Sequence, residues 1–165
     1  MNASLSLITE LGARTGIEAG LGEEATLIAD MVHRFAADVL RPTGAKLDRM
    51  TPEEVIAPDS PLWDVHRGFA ELGINSAAFA EMDPAEGALL SSLVFEELTW
   101  GDAGLAISLA SSMIPQRMAY AFKNEFLIEN IPLTAIGCWA ISEPDHGSDM
   151  ADYDGQVSLP GAVHS

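Results

Sequence analysis

The chain has 165 residues, enough for one ordinary domain, and its 48% apolar content supports a real core rather than wholesale disorder. Eight Lys and Arg against 25 Asp and Glu give a formal net charge of −17, which argues against nucleic acid and against an anionic membrane surface as partners. An anionic cofactor is still compatible with that charge, because backbone N–H groups can hold one locally. A single cysteine, Cys138, rules out an internal disulfide, and no stretch reaches the roughly 18 apolar residues of a membrane span. Met1 to Leu11 lacks the basic start of a signal peptide, so the expected location is cytoplasmic.

In chain order, residues 3–14 give a short helix, after which Gly12, Gly16, Gly20 and Gly22 loosen the chain. The spacing predicts a helix over 23–40, with Leu27, Ile28, Met31, Val32, Phe35, Val39 and Leu40 on one stripe, and Arg41-Pro42 is expected to end or kink it. Residues 50–61 read as a turn-rich connection containing Pro52, Pro58 and Pro61. Ser60 then looks like an N-cap with Pro61 in first helical position, and that helix should run to Leu72 with Gly73 as its stop. A further helix is predicted over 86–100, with Leu89, Leu90, Leu93, Val94 and Leu98 on one side and Glu96-Glu97 toward the other. The uncharged run Ala103 to Ile114 predicts a helix buried on several sides, closed or kinked by Pro115, with a short helix over 116–122 and a turn or two at 124–130.

The period changes at Leu133. Leu133 to Ile141 carries no charge and includes β-branched and aromatic residues, which suits a strand, and Cys138 reads there as a small buried hydrophobe. The tail 150–165 has no helical stripe and offers no partner for that strand, so a domain boundary is placed near 132, with the second domain only begun.

The stretch richest in chemistry is Ser142-Glu143-Pro144-Asp145-His146-Gly147-Ser148-Asp149. Pro144 and Gly147 force a tight turn, and the hydroxyls and successive N–H groups there can hold an anion. Local chemistry alone also fits an ordinary acidic surface loop. Other candidates carry less. His146 has no second His or Cys at ligand spacing, so no metal is expected. His33 and His66 read as structural, Glu96-Glu97 as solvated or packing residues, and Ser111-Ser112 lack an identifiable base. Gly101 to Gly104 lacks the pattern and the lysine of a phosphate loop.

The segment Trp139-Ala140-Ile141-Ser142-Glu143-Pro144-Asp145-His146-Gly147-Ser148-Asp149 resembles the signature of acyl-CoA dehydrogenases: a strand, Thr/Ser-Glu-Pro, two small residues, then Gly-Ser-Asp. Upstream, Phe35-Ala36 through Val39-Leu40-Arg41-Pro42, Glu71-Leu72-Gly73-Ile74, and Phe95-Glu96-Glu97-Leu98 with Gly101-Asp102-Ala103-Gly104 are similar to the family's helical preamble, so the likeness covers most of 24–149. It implies a mainly α fold: an N-terminal helical domain over 1–132, followed over 133–165 by the first strand of an incomplete β-barrel domain. It also implies FAD as cofactor, an acyl thioester of CoA or a carrier protein as substrate, an electron acceptor such as an electron-transfer flavoprotein, a homo- or hetero-tetramer, and a place in fatty acid metabolism. Carried over by motif, Trp139 and Ile141 would border the flavin and Ser142 would hydrogen-bond its ring. Gly147 and Ser148 would approach the pyrophosphate, and Leu105 to Ile114 would line the acyl pocket.

The sequence departs from the family pattern at His146, in the longer connection 50–61, and after Asp149. The next flavin-facing strand, the C-terminal bundle and its catalytic glutamate are missing, so no catalytic residue is assigned. The chain is expected to be inactive alone, as a truncated copy or as one piece of a split enzyme. The expected activity of the whole is α-proton abstraction with β-hydride transfer to flavin, forming a 2,3-enoyl thioester. The alternatives are a flavin-dependent monooxygenase of the same fold and a non-catalytic subunit of a split flavoenzyme.

Overall fold

The structure, a computed structural model, describes residues 22–138. The helix expected at 3–14, the segment Trp139 to Asp149 and the tail lie outside them. Within them the chain is mainly α. Helix α1 spans Glu23–Phe35, passes through a π-helical turn at Ala36–Leu40, and continues directly as α2, Arg41–Leu47. Then follow α3 (Pro52–Val55), α4 (Pro61–Glu71), α5 (Ser76–Glu81), α6 (Pro84–Gly101), α7 (Ala103–Ala121) and α8 (Glu125–Asn130).

Most helix starts are set by one polar side chain. Thr51 and Glu54 form a reciprocal capping box at α3, and Ser60 accepts from the Leu62 N–H with Pro61 in the first turn of α4. Asn75, Asp83, Asp102 and Asn124 cap α5, α6, α7 and α8 by accepting backbone N–H groups two or three residues on. Gly73, at φ 74°, turns the chain after α4. Neither the capping box inside the 50–61 connection nor helix α5 was expected from the sequence, and α6 begins two residues earlier than its apolar stripe suggests.

Neither interior proline breaks its helix. Arg41 is in the α region although it precedes Pro42, and its N–H bonds the Ala36 carbonyl five residues back. The clash of a proline ring falls on the carbonyl four residues back, here Asp38, which sits in the widened π turn. The π turn thus accommodates the proline that was expected to end or kink the helix, and the helix does not end there. Pro115 likewise lies inside α7, which runs on to Ala121.

The core is one cluster: Val32, Phe35, Ala36 and Leu40 from the first helical stretch, Val65 and Phe69 from α4, Leu90, Val94 and Leu98 from α6, and Leu105, Ala106 and Leu109 from α7. Leu40, Leu93, Leu109, Val32 and Val65 are the largest side chains removed fully from water, each contributing about 1.5–3 kcal/mol relative to exposure. Helix α6 meets the π turn at its last residue. A Cβ on Gly101 would lie 2.8 Å from the Ala36 Cβ, so only glycine permits this approach. Asp102 alone, in extended conformation, separates α6 from α7.

Two other expectations are corrected. Glu97 faces inward, not away: it lies one turn after Leu93, is 6% exposed, and its Oε2 is 2.6 Å from His33 Nδ1. The His33 ring stacks on Trp100 at 4.3 Å, and the Arg41 guanidinium covers that indole at 4.4 Å. Residues 133–138 form no strand. Leu133-Thr134 make a turn, 135–138 have no regular structure, and Cys138 is exposed rather than buried. An extended segment becomes a strand only when another strand completes its hydrogen bonds, and over these residues the Gly137 N–H goes instead to a helix carbonyl, that of Ser112.

Candidate functional site: the outward face of the long apolar helix

Helix α7 has two unlike sides. Leu105, Ala106, Leu109, Ser112, Gln116 and Ala119 are buried. Ile107, Ala110, Ser111, Ile114, Met118 and Ala121 recur at spacings of three and four on the other side and, with Arg117, line an open groove of about 490 Å³. Ile107 is 59% exposed and Met118 47%, so this apolar stripe has no cover among the described residues. Beside it lies a larger concavity of about 670 Å³, whose walls include Phe79, Phe95, Leu98 and Met113. Ala110 and Arg117 line both spaces, so Ala110 stands on the ridge between them.

Within Leu105–Ile114, different residues face the outward groove and the core, and Met113 lines the larger concavity beside the groove. Ile107, Ala110, Ser111 and Ile114 face the groove. Leu105, Ala106 and Leu109 belong to the core. Ser108 turns toward α4, where its Oγ lies 3.1 Å from His66 Nε2. Burial holds the His66 imidazole below its ordinary pKa, so it is neutral near pH 7. The Ser112 hydroxyl donates to the Ser108 carbonyl at 2.8 Å. The suggestion of nucleophilic serines at 111–112 finds no support: Ser111 is in the groove and Ser112 is tied into its own helix.

On the α4 side of α7, residues 131–138 run as a strap. Gln116, 3% exposed, donates from Nε2 to the Pro132 carbonyl at 2.7 Å. The Gly137 N–H donates to the Ser112 carbonyl at 3.2 Å. A small cavity of about 270 Å³ lies beneath the strap, between His66, Leu109, Gln116 and residues 133–136. The sequence reading missed this arrangement. Its one visible signal was Gln116, a large polar side chain at a buried position of a mostly apolar helix.

Trp139, Ile141, Ser142, Gly147 and Ser148, the residues assigned to the cofactor, lie outside the described residues, as does His146. Among the described residues no three His, Cys, Asp or Glu side chains group as a metal site, and no helix is long and apolar enough to cross a membrane.

Comparison with curated proteins and with solved structures gives no match. The family model for the acyl-CoA dehydrogenase N-terminal domain, however, matches residues 22–126, nearly two thirds of the chain and the stretch that folds as the helical body described above. By that match, the chain belongs to the acyl-CoA dehydrogenase family.

Proposed function

We propose that this chain supplies the helical wall of an FAD-dependent acyl-CoA dehydrogenase, acting within a longer or multi-subunit protein, with the second domain beginning at residue 133. The observation that carries the reading is the uncovered apolar groove on α7, built from Ile107, Ala110, Ser111 and Ile114, in a domain of this family. An acyl chain needs a concave, mostly apolar lining, and this face offers one wall of it, which a bound chain or the rest of the protein would close against water. The substrate is an acyl thioester of CoA or a carrier protein, and the product is its 2,3-enoyl form.

The described residues fit the acyl chain, and the strap leads toward the residues that would hold the cofactor. Trp139 and Ile141 would border it, Ser142 would hydrogen-bond its ring, and Gly147 and Ser148 would meet its pyrophosphate through hydroxyl and backbone N–H groups. FAD, when bound, supplies the acceptor for the β-hydride released as the α-proton leaves. Ile107 and Ile114 would keep the alkyl chain dry, and small Ala110 and Ser111 would leave it room. Glu97 is engaged with His33 on the far side of α6 and is not the base that takes the α-proton. Assembly as a tetramer, a cytoplasmic location and an electron-transfer flavoprotein as acceptor belong to the same proposal.

The test is titration of the full chain with acyl-CoAs of graded length. Ala110→Phe fills the ridge between the two concavities and is expected to shift preference toward shorter chains. Identical length profiles for the wild type, Ala110→Phe and Ser111→Phe would overturn the placement. Separately, Ser148→Ala is expected to weaken FAD or acyl-CoA binding, and unchanged titrations of both would remove Ser148 from the site.

A further inference from the structure

We propose that Gln116 is a positioning residue: through the Pro132 carbonyl it fixes the strap 131–138, and so the point from which the chain enters the Trp139–Asp149 segment. The link to that segment rests on the flavoenzyme reading. The strap itself does not.

Contacts at both ends of the strap converge on one helix. Gln116 is 3% exposed, so its amide has left water and needs a partner, and the Pro132 carbonyl is that partner at 2.7 Å. The same carbonyl accepts the Ala135 N–H at 2.9 Å, which closes the turn at the start of the strap. At its other end, the Gly137 N–H reaches the Ser112 carbonyl, one turn before Gln116 on the same helix. There the strap backbone presses on the Pro115 ring so closely that any Cβ on Gly137 would collide with it and stand 2.9 Å from the Ser112 oxygen. Leu133 and Ile136 add little, being 49% and 51% exposed. The strap is therefore held mainly by hydrogen bonds and one glycine-only contact, and Gln116 is the only side chain whose hydrogen bond to it is seen among the described residues.

The position matters because α7 carries the acyl groove on its other side. A segment registered on Ser112, Pro115 and Gln116 is registered on the same rigid helix that presents Ala110, Ser111 and Ile114.

The experiment uses the full chain and its single thiol. Amide exchange is followed residue by residue, and Cys138 carries an environment-sensitive dye. Gln116→Met keeps length and volume but cannot donate. It is expected to speed exchange at Ala135 and Gly137 about tenfold, the effect of losing one buried hydrogen bond, and to shift the dye spectrum, while exchange at Leu105 and Leu109 holds. Gly137→Ala, which keeps the Gln116 side chain and forces the strap away from Pro115, is expected to give the same dye shift. Unchanged Gly137 exchange in Gln116→Met, or acceleration spread evenly along α7, would overturn the proposal, and so would a Gly137→Ala dye spectrum identical to wild type. None of these readouts needs flavin, so their failure counts against the strap alone. Failure of the acyl and FAD titrations counts against the flavoenzyme reading.

Discussion

The two sides of α7 have similar apolar content and opposite fates. Leu109, on the inner side, is 2% exposed among core residues of four helical stretches, whereas Ile107, two positions earlier, is 59% exposed. A helix that is apolar all round should be buried all round, yet here only one side is covered by the described residues. The inner side therefore packs the core of the described residues, and the outer side is left open by them as a groove.

The sharpest way to break this comparison is to truncate the inner side. Leu109→Ala is expected to cost about 2–5 kcal/mol, read as a lower urea midpoint at unchanged slope. A loss under about 1 kcal/mol would mean that the core is looser than its burial implies. Gly101→Ala comes next, because the added methyl meets Ala36 at the π turn. It is expected to cost about 1–3 kcal/mol, and a neutral result would show that α6 can slide along the first helical stretch.

A smaller effect should come from pH at the α4 edge of α7. His66 has a folded pKa below its unfolded value of 6.5, so the unfolded chain binds more protons between the two. The stability of the neutral form is complete above pH 6.5 and is lost as pH falls toward the folded pKa. Denaturation of the wild type and of His66→Gln across pH 5–7.5 checks this. The wild type should lose stability relative to the variant on the acid side, and parallel curves would contradict it.

The smallest effects sharpen the contrast from outside. Ile107→Ser should change stability by no more than about 0.5 kcal/mol while weakening acyl-CoA binding, and a large stability loss would mean that this face is structural after all. Arg67→Ala removes an ion pair with Asp64 whose two side chains are 68% and 69% exposed, so its midpoint should stay within about 0.5 kcal/mol of wild type.

Local chemistry written in consecutive residues was legible. Ser60-Pro61 and Gly73 bracket α4 as their backbone preferences dictate, and of the stripe Leu89, Leu90, Leu93, Val94 and Leu98 that the 3.6-residue period gave, all but Leu89, 39% exposed, are buried. Two signals were present but unread: the Thr51–Glu54 capping box, and the one-turn spacing from Leu93 to Glu97 that turns that carboxylate inward. Neither Pro42 nor Pro115 ends its helix, and at Pro42 the reason is that a π turn can take up the ring that an ideal helix rejects.

By itself the sequence determined the helical character of most of 23–130, the Ser60 cap, and the resemblance of the helical body that the family match over 22–126 bears out, because these depend on residue types at short fixed spacings. Only the tertiary structure decided which side of α7 is core and which is groove, that His33 meets Glu97, and that Gln116 holds Pro132. A uniformly apolar helix carries no periodic mark of its own inside, and contacts between residues 16 or 64 positions apart follow from packing rather than from local preference.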